Sequence, residues 1–414
     1  LPDDIRPTQV AVYTGSKGST ASDAVIERDA NEVGFTTRHP LYPYAGMTIG
    51  VGWPAGHISG RPSPMHEQLL QIVRWSPLLI PLVVLILAYR HWDKKGRDPK
   101  EGSYVVRYEP VPGMTPAELG TLVDNKADME DITATLVDLA VRGYVHITEL
   151  SEKHLFGLTH STDYQLDIIK NRSEWKNLKP HELSYLDALS QSAPRDAYKV
   201  KVSELTNRFY KFLPEIRDAI YDSLVGAGYY LERPDKVKAK WLGLAFGVGV
   251  LLAFAAIVSV KLALVYFTPG ALALAAGLSG MTLGTFALIM PARTVQGARV
   301  REATLGFKEF LSRVEEDRYK RMITSPQLFE KYLPYAMAFG VEEKWANAFK
   351  DIYREPPDWY SGGTGSFNVS SFSQSISSMS SAAASTMSSS PSSSGSGGGG
   401  SSGGGSGGGG GSGF

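Results

Sequence analysis

The chain has 414 residues, and its 42 Lys and Arg residues balance 42 Asp and Glu residues, so its formal net charge at pH 7 is zero. This balance gives no general attraction to nucleic acid or to anionic lipid, so charge must be judged segment by segment. The absence of cysteine excludes disulfides, thiolate zinc sites and cysteine nucleophiles.

The first segment, residues 1–64, is rich in Gly, Pro and Thr, with short alternating stretches at 9–13 and 47–53. Short strands between turn residues predict the end of an all-β domain. The chain begins at Leu1 and shows no basic, apolar leader. We therefore expect a secretory signal and part of this domain to precede it.

Three apolar stretches predict transmembrane helices: residues 69–91, and a hairpin at 241–291 with spans at about 241–265 and 270–291. At about 1.5 Å per residue, a helix of 20 residues crosses a hydrocarbon core of about 30 Å. The alternative is a buried hairpin in a soluble protein. A soluble helix normally keeps a polar face, and the hairpin has none, so we favour the membrane.

Basic residues flank the predicted spans on one side. Cationic loops stay in the cytoplasm, which places residues 1–64 outside and the C-terminal part inside. The predicted location is the plasma membrane, crossed three times, with the lipid bilayer as a partner. The three cytoplasmic clusters are Arg90, Lys94, Lys95, Arg97 and Lys100; Arg233, Lys236, Lys238 and Lys240; and Arg293, Arg299 and Arg301.

Residues 102–170 predict a winged-helix-like unit of α+β type. Thr115, Pro116 and Glu118 form a helix-start signature, and Asp128 caps a second helix that ends at Gly143. Strands at 144–150 and 164–169 would then form the hairpin. A looser version of this order predicts a second unit at 178–235, with helices at 180–189, 203–212 and 214–225 and a strand at 198–202.

Two stretches of the sequence resemble a known family. Residues 114–120 (MTPAELG) and 131–144 (DITATLVDLAVRGY) resemble the YciQ-like predicted membrane proteins of prokaryotes, a DUF2207-type family whose domain has no assigned function. Residues 329–341 (FEKYLPYAMAFGV) and the Gly/Ser tail resemble the same family. The resemblance implies an extracytoplasmic β domain, a first span, a cytoplasmic region and a hairpin of spans. It implies no catalytic residues.

A winged helix suggests DNA binding, but the charges oppose it. The predicted recognition helix, residues 130–142, carries Glu130, Asp131 and Asp138 against Arg142 alone. Contacts to phosphate need Lys or Arg, so nucleic acid is an improbable partner and a protein partner is preferred. A membrane-tethered DNA regulator stays open as the alternative.

An enzyme is the other alternative. The sequence contains no nucleophile elbow and no phosphate-binding loop, and the scattered histidines lack ligand spacing. Asp124, Asp128, Glu130 and Asp131 cluster, but helix capping explains them better than a calcium loop. We predict no catalytic, cofactor-binding or metal-ligating residues and no cofactor.

The C-terminal part divides into two segments. Residues 297–358 predict a cytoplasmic helical region, with a helix opened by Ser325 and Pro326 and an apolar stripe at Val341, Trp345, Phe349 and Ile352. Residues 361–414 carry no charge and consist mainly of Ser and Gly, which predicts a disordered tail. An alternative to a plain disordered tether is that the isolated Phe367, Phe372 and Phe414 form weak contacts.

The sequence thus predicts a multi-domain membrane protein with a partial β domain, three spans and α+β winged-helix-like units. The predicted function is a non-enzymatic scaffold or signal relay that joins the extracytoplasmic domain to a cytoplasmic partner. A homo-oligomer is a further open alternative.

Overall fold

The computed structural model describes residues 6–29, 32–54, 64–100, 102, 104–154, 159–193, 198–261, 267–314, 325–350, 352–353, 355–362 and 367–391. The chain divides into two compact units, one formed by Leu1–Leu78 with Ala256–Leu272 and the other by Leu79–Ala255 with Ala273–Phe414.

The first unit contains four strands in two antiparallel pairs. Strand β1 (Gln9–Gly15) pairs with β4 (Gly46–Gly52), and β2 (Ala24–Arg28) pairs with β3 (Val33–Thr37). The strands predicted at 9–13 and 47–53 are β1 and β4. Helix α1 (Pro64–Trp75) follows.

The elements that follow are, in chain order, α2 (Leu79–His91), α3 (Pro116–Asp124), α4 (Met129–Val141), β5 (Val145–His154), β6 (Thr159–Ile168), α5 (Pro180–Ser192), β7 (Lys199–Lys201), α6 (Leu213–Gly226), α7 (Pro234–Lys261), α8 (Pro269–Ile289), α9 (Val295–Ser312), α10 (Pro326–Ala338), α11 (Glu342–Ala348), β8 (Tyr360–Ser361) and α12 (Val369–Ser388).

Three helical stretches are long and apolar enough to cross a membrane: Glu67–Gly96, Pro234–Lys261 and Pro269–Ile289. The first of them continues from α1 through α2 into a π-helical turn, Trp92–Gly96. The three predicted spans are therefore confirmed as long apolar helices, while residues 262–265 of the second lie outside the described residues.

The two predicted winged-helix-like units are joined in the structure. The sheet has the order β7-β6-β5-β8, so the strand predicted for the second unit pairs with the hairpin of the first. Strand β8 adds a short parallel edge to β5, with Tyr360 opposite Ile147. A single hydrophobic core extends from Met114 to Met387, so these segments fold as one body.

Local signals in the sequence set most helix boundaries. The Thr115 side chain caps α3 by accepting from the Glu118 N–H, and the Glu118 side chain accepts from the Thr115 N–H. Asp128 and Asp131 form the same reciprocal pair at the start of α4, so both predicted caps are confirmed. Gly143 has a φ of 73°, as the turn into β5 requires. Helix α10 begins at Pro326 after Ser325, also as predicted.

Two predictions need correction. The helix expected at 203–212 is instead two 3-10 turns, Val202–Leu205 and Phe209–Lys211, because Asn207 between them has a φ of 59°, which an α-helix excludes. The disorder expected from residue 361 is wrong for α12, which is ordered by packing on the core. Residues 392–414, with Phe414, lie outside the described residues.

Candidate functional site

The C-terminal end of α3 receives cationic side chains from the segments beside the predicted spans. Arg293 follows α8, and its side chain is 4% exposed. It donates from Nε to the Leu122 carbonyl at 2.9 Å and from Nη2 to the Val123 carbonyl at 3.0 Å. The last carbonyls of a helix carry the negative end of its dipole, so a guanidinium is stabilised there.

The same arginine also binds the segment after α2. Asp98 accepts from the Arg293 backbone N–H at 2.7 Å and pairs with Nη1 at 2.9 Å. At the start of α7, Lys238 donates to the Asn125 carbonyl at 3.4 Å. The chain that adjoins each of the three predicted spans is therefore tied, directly or through Arg293, to one turn of α3.

Helix α3 is in turn locked to α4 through Asp131, which is 2% exposed. Asp131 accepts from the Thr121 hydroxyl at 3.1 Å and from the Asp128 N–H at 3.3 Å. A Cβ at Gly120 would lie 1.8 Å from Asp131 Oδ1, so only glycine permits this approach. Burial, with the negative charges of Asp128 and Asp124, raises the pKa of Asp131 well above its ordinary value.

A second buried network joins α4 to α5. Arg142 at the end of α4 donates to Glu182 Oε1 at 2.6 Å and to Asp138 Oδ2 at 2.8 Å. Burial raises the pKa of Asp138 to about 6; the charge of Arg142 opposes this shift and that of Glu182 adds to it. One arginine thus holds two buried carboxylates at the junction of the predicted units.

Glu118 forms the neighbouring polar contact on α3. It accepts from Lys179 Nζ at 2.5 Å, from Ser223 Oγ at 2.5 Å and from the Thr115 N–H at 2.9 Å. Burial would raise the pKa of Glu118, but these hydrogen bonds outweigh it and hold the pKa below its usual value. His181 lies beside them, hydrogen bonded to Thr115 Oγ1 at 3.2 Å, and burial lowers its pKa.

The surface of α4 is covered by the C-terminal helix α12. Helix α12 buries one stripe at intervals of three and four residues: Val369, Phe372, Ile376, Met379, Ala383 and Met387. This stripe lies in a groove formed by α4, by α11 and by the two 3-10 turns between β7 and α6. We call it the α12 groove.

Aromatic rings close one end of the α12 groove. Phe372 contacts Tyr360 and Trp359, with ring centroids 4.9 Å and 5.7 Å away. Phe367 lies 5.7 Å from Phe372 by the same measure. Both phenylalanines proposed as contact points thus pack on the core, where edge-to-face pairs add stability beyond burial.

Polar contacts fix the position of α12 along its length. Ser380 donates to Thr133 Oγ1 of α4 at 2.7 Å, and the Tyr164 hydroxyl donates to the Ser375 carbonyl at 3.1 Å. Beyond the helix, the Asn207 N–H donates to Ser389 Oγ at 3.0 Å. The serines of the tail therefore contribute specific contacts, which their composition did not indicate.

The burial of α4 bears on the DNA hypothesis. Every residue from Asp131 to Ala140 is buried, so this helix offers no surface to a major groove in the described arrangement. On α6, the side chains of Asp218 and Asp222 both pair with Arg233, the latter at 3.2 Å, which offsets part of the negative charge of this helix.

The histidines considered for a metal site do not converge where they are described. His39 pairs with Asp23 at 2.9 Å in the first unit, whereas His181 is buried in the second. Within the described ranges, no group of three or more His, Asp or Glu side chains is arranged to hold a metal ion. Asp128 and Asp131 act as helix caps, as predicted.

A family model described as "Predicted membrane protein (DUF2207) C-terminal domain" matches residues 105–349, which is more than half of the chain. The chain belongs to this DUF2207 family. The matched range contains α3 to α11, and thus the contacts of Arg293 with α3 and most of the α12 groove. No curated protein and no solved structure matches the chain.

Sequence reasoning missed two parts of this site. The first is Arg293, which looked like one more flanking cation but is buried against α3. The second is α12, whose apolar stripe was hidden by the Ser and Gly content around it. The spacing of Phe372, Ile376, Met379 and Ala383 was the signal that would have found it.

Proposed function

We propose that this DUF2207 protein is an integral membrane scaffold that relays the state of its spans to a cytoplasmic protein partner. The observation that carries the proposal is the α12 groove, which accommodates an amphipathic helix. In this proposal α12 occupies the groove at rest, and a partner helix with a similar apolar stripe replaces it. Helices with anchors at such spacing are a common form of peptide recognition.

The proposed sidedness rests on charge. The three basic clusters lie at the C-terminal end of the first apolar helix, the N-terminal end of the second and the C-terminal end of the third, which is one side of the membrane for three successive spans. Cationic loops are retained in the cytoplasm. We therefore place the groove in the cytoplasm, the β strands of the first unit outside, and the protein in a prokaryotic plasma membrane. In this proposal the groove region works as a pair of winged-helix-like units that bind protein.

The proposed relay starts at Arg293. A displacement of the spans would move Arg293 and Asp98, and with them the end of α3. Asp131 connects α3 to α4, and Thr133 on α4 contacts Ser380 of α12. A two-site test measures whether this chain of contacts couples the spans to the groove.

The groove can be tested with a peptide that copies residues 369–388. The full chain, purified in detergent, should bind this peptide weakly because α12 competes for the same surface. A chain with Phe372→Ser and Ile376→Ser should bind it much more tightly, because its own helix no longer holds the groove. A peptide with the same two substitutions is the matched control and should bind neither chain. Equal binding of both peptides would refute the groove as a helix-binding site.

Sidedness can be tested with single cysteines, because the chain has none of its own. Cysteines at Lys240 and Arg299 should resist a reagent that cannot enter intact cells, whereas one at Tyr42, which is 83% exposed in the first unit, should react. Labelling of Lys240→Cys in intact cells would reverse the proposed orientation.

A further inference from the structure

A cavity of about 1130 Å³ lies between the ends of α2, α7 and α8, within the second unit. Its walls and its rim have different chemistry. The walls are formed by apolar side chains from the three helices: Val84, Leu87, Leu244, Val248 and Leu283. The rim carries the basic residues His91, Lys94, Lys95, Arg97, Lys240 and Arg293, with one carboxylate, Glu232. The cavity is thus apolar on one side and cationic on the other.

The cations on the rim are not equally available. Arg97 pairs with Asp93 at 3.3 Å, and Lys240 pairs with Glu232. Lys94 and Lys95 are exposed, and within the described part of the chain neither forms an ion pair with a carboxylate. These two lysines therefore leave uncompensated positive charge at the mouth of the cavity.

The two lysines are placed by the π-helical turn Trp92–Gly96. This turn packs closely on the end of α8: a Cβ at Gly96 would lie 2.4 Å from Met290 Sδ. Such turns are rare and frequently occur at functional sites. The close approach of the turn to α8 fixes both lysine positions relative to the apolar walls.

Aromatic residues mark the depth of the cavity mouth. Trp241 contacts His91, with ring centroids 5.6 Å apart, and Phe286 at 6.3 Å. Trp is enriched where the lipid headgroups meet the hydrocarbon core. In a bilayer, Trp241 at this level would put the cationic rim at headgroup depth and the apolar walls at acyl-chain depth.

We propose that this cavity binds one anionic phospholipid, with its phosphate between Lys94 and Lys95 and an acyl chain along Leu244 and Leu283. Basic pockets between transmembrane helices favour anionic headgroups. A soluble phosphate would leave the apolar walls uncovered, and a zwitterionic lipid would not neutralise the two lysines. Charge complementarity therefore selects the anionic lipid.

Native mass spectrometry of the full chain in detergent tests this proposal, with phosphatidylglycerol and phosphatidylcholine of the same acyl chains as probes. Phosphatidylglycerol should bind more tightly, at one retained lipid per chain. One cation near the membrane surface contributes about fivefold to affinity. The double variant Lys94→Gln, Lys95→Gln should therefore bind phosphatidylglycerol about 25-fold more weakly.

Two further variants separate a built site from general charge attraction. Lys100 and Lys236 are exposed but do not line the cavity, so Lys100→Gln with Lys236→Gln should change affinity less than twofold. Leu244→Trp fills the apolar wall and keeps the rim, so it should also lower the affinity. Equal affinity of the parent chain for the two lipids would overturn the proposal. So would an equal loss of phosphatidylglycerol affinity in the two double-lysine variants. If the Lys94→Gln, Lys95→Gln variant lost affinity for phosphatidylglycerol and Leu244→Trp did not, the acyl-chain part of the proposal would be overturned.

Discussion

Ser380 donates a hydrogen bond to Thr133 at 2.7 Å, across a separation of 247 residues in the chain. Thr133 lies on α4, within the family-matched region, and Ser380 lies on α12, beyond that region. This contact places a Ser-rich helix against α4, the helix that the sequence predicts as a recognition helix. It makes occupancy of the α12 groove the property most open to experiment.

Phe372→Ala should loosen α12. The ring is 3% exposed, and removing a buried phenylalanine costs about 3–5 kcal/mol. We expect faster proteolysis within residues 369–388 while the rest of the second unit stays protected. Ser378, exposed on the opposite face, provides the control, and Ser378→Ala should leave the digestion rate unchanged. Equal digestion of both variants would contradict the packing of α12.

Gly120→Ala should destabilise the contact between α3 and α4. The added Cβ would meet Asp131 Oδ1 at 1.8 Å and the Ala338 carbonyl at 3.3 Å, and overpacking of this kind costs about 1–3 kcal/mol or more. Thermal unfolding in detergent measures the loss. Gly226→Ala, with no neighbouring atom within 4 Å, is the matched control and should be neutral or slightly stabilising.

The stability of the chain should depend on Asp138 between about pH 4 and pH 6. The pKa of this carboxyl rises from 3.8 to about 6 on folding, so in that range the folded state binds more protons than the unfolded state. Stability from this group is therefore lost as the pH rises through the window, by at most about 3 kcal/mol. Thermal unfolding at several pH values should give a steeper decline for the parent chain than for Asp138→Asn. Identical profiles would exclude the shift.

Arg293→Gln should weaken the contact between α3 and the segments that adjoin the predicted spans. The change leaves Asp98 and the Leu122 and Val123 carbonyls without their cationic partner, and breaking such a buried contact costs about 3–5 kcal/mol. The exposed Arg299 is the control, and Arg299→Gln should stay within about 0.5 kcal/mol of the parent chain.

Arg293→Gln also supplies the two-site test of the relay. In a double-mutant cycle with Ser380→Ala, measured by binding of the peptide that copies residues 369–388, coupling should exceed about 0.5 kcal/mol. Additive effects would mean that the contacts from Arg293 to α12 are structural only.

Local physics explains what the sequence predicted well. The caps at Thr115 and Asp128 and the three apolar helices depend on near neighbours and on length, which the sequence displays directly. The sharing of one sheet by β6 and β7 depends on long-range pairing, which no local pattern specifies.

The C-terminal segment shows why composition alone gave a wrong prediction of disorder for α12. Ser and Ala dominate α12, and alone they would not offset the entropy of ordering. Six apolar residues on one face change that balance, because a complementary groove is present to bury them. The Arg293 contact was hidden for a related reason: a flanking arginine has the same sequence signature whether it faces solvent or a helix end.

The most direct test of the central claim is a reversible lock on α12. Thr133→Cys with Ser380→Cys places two thiols where the hydroxyls lie 2.7 Å apart, in a chain with no other cysteine. Oxidation should join them and lower binding of the peptide that copies residues 369–388 at least tenfold, and reduction should restore it. Failure to form the bond, or peptide binding that is unchanged after it forms, would contradict the account.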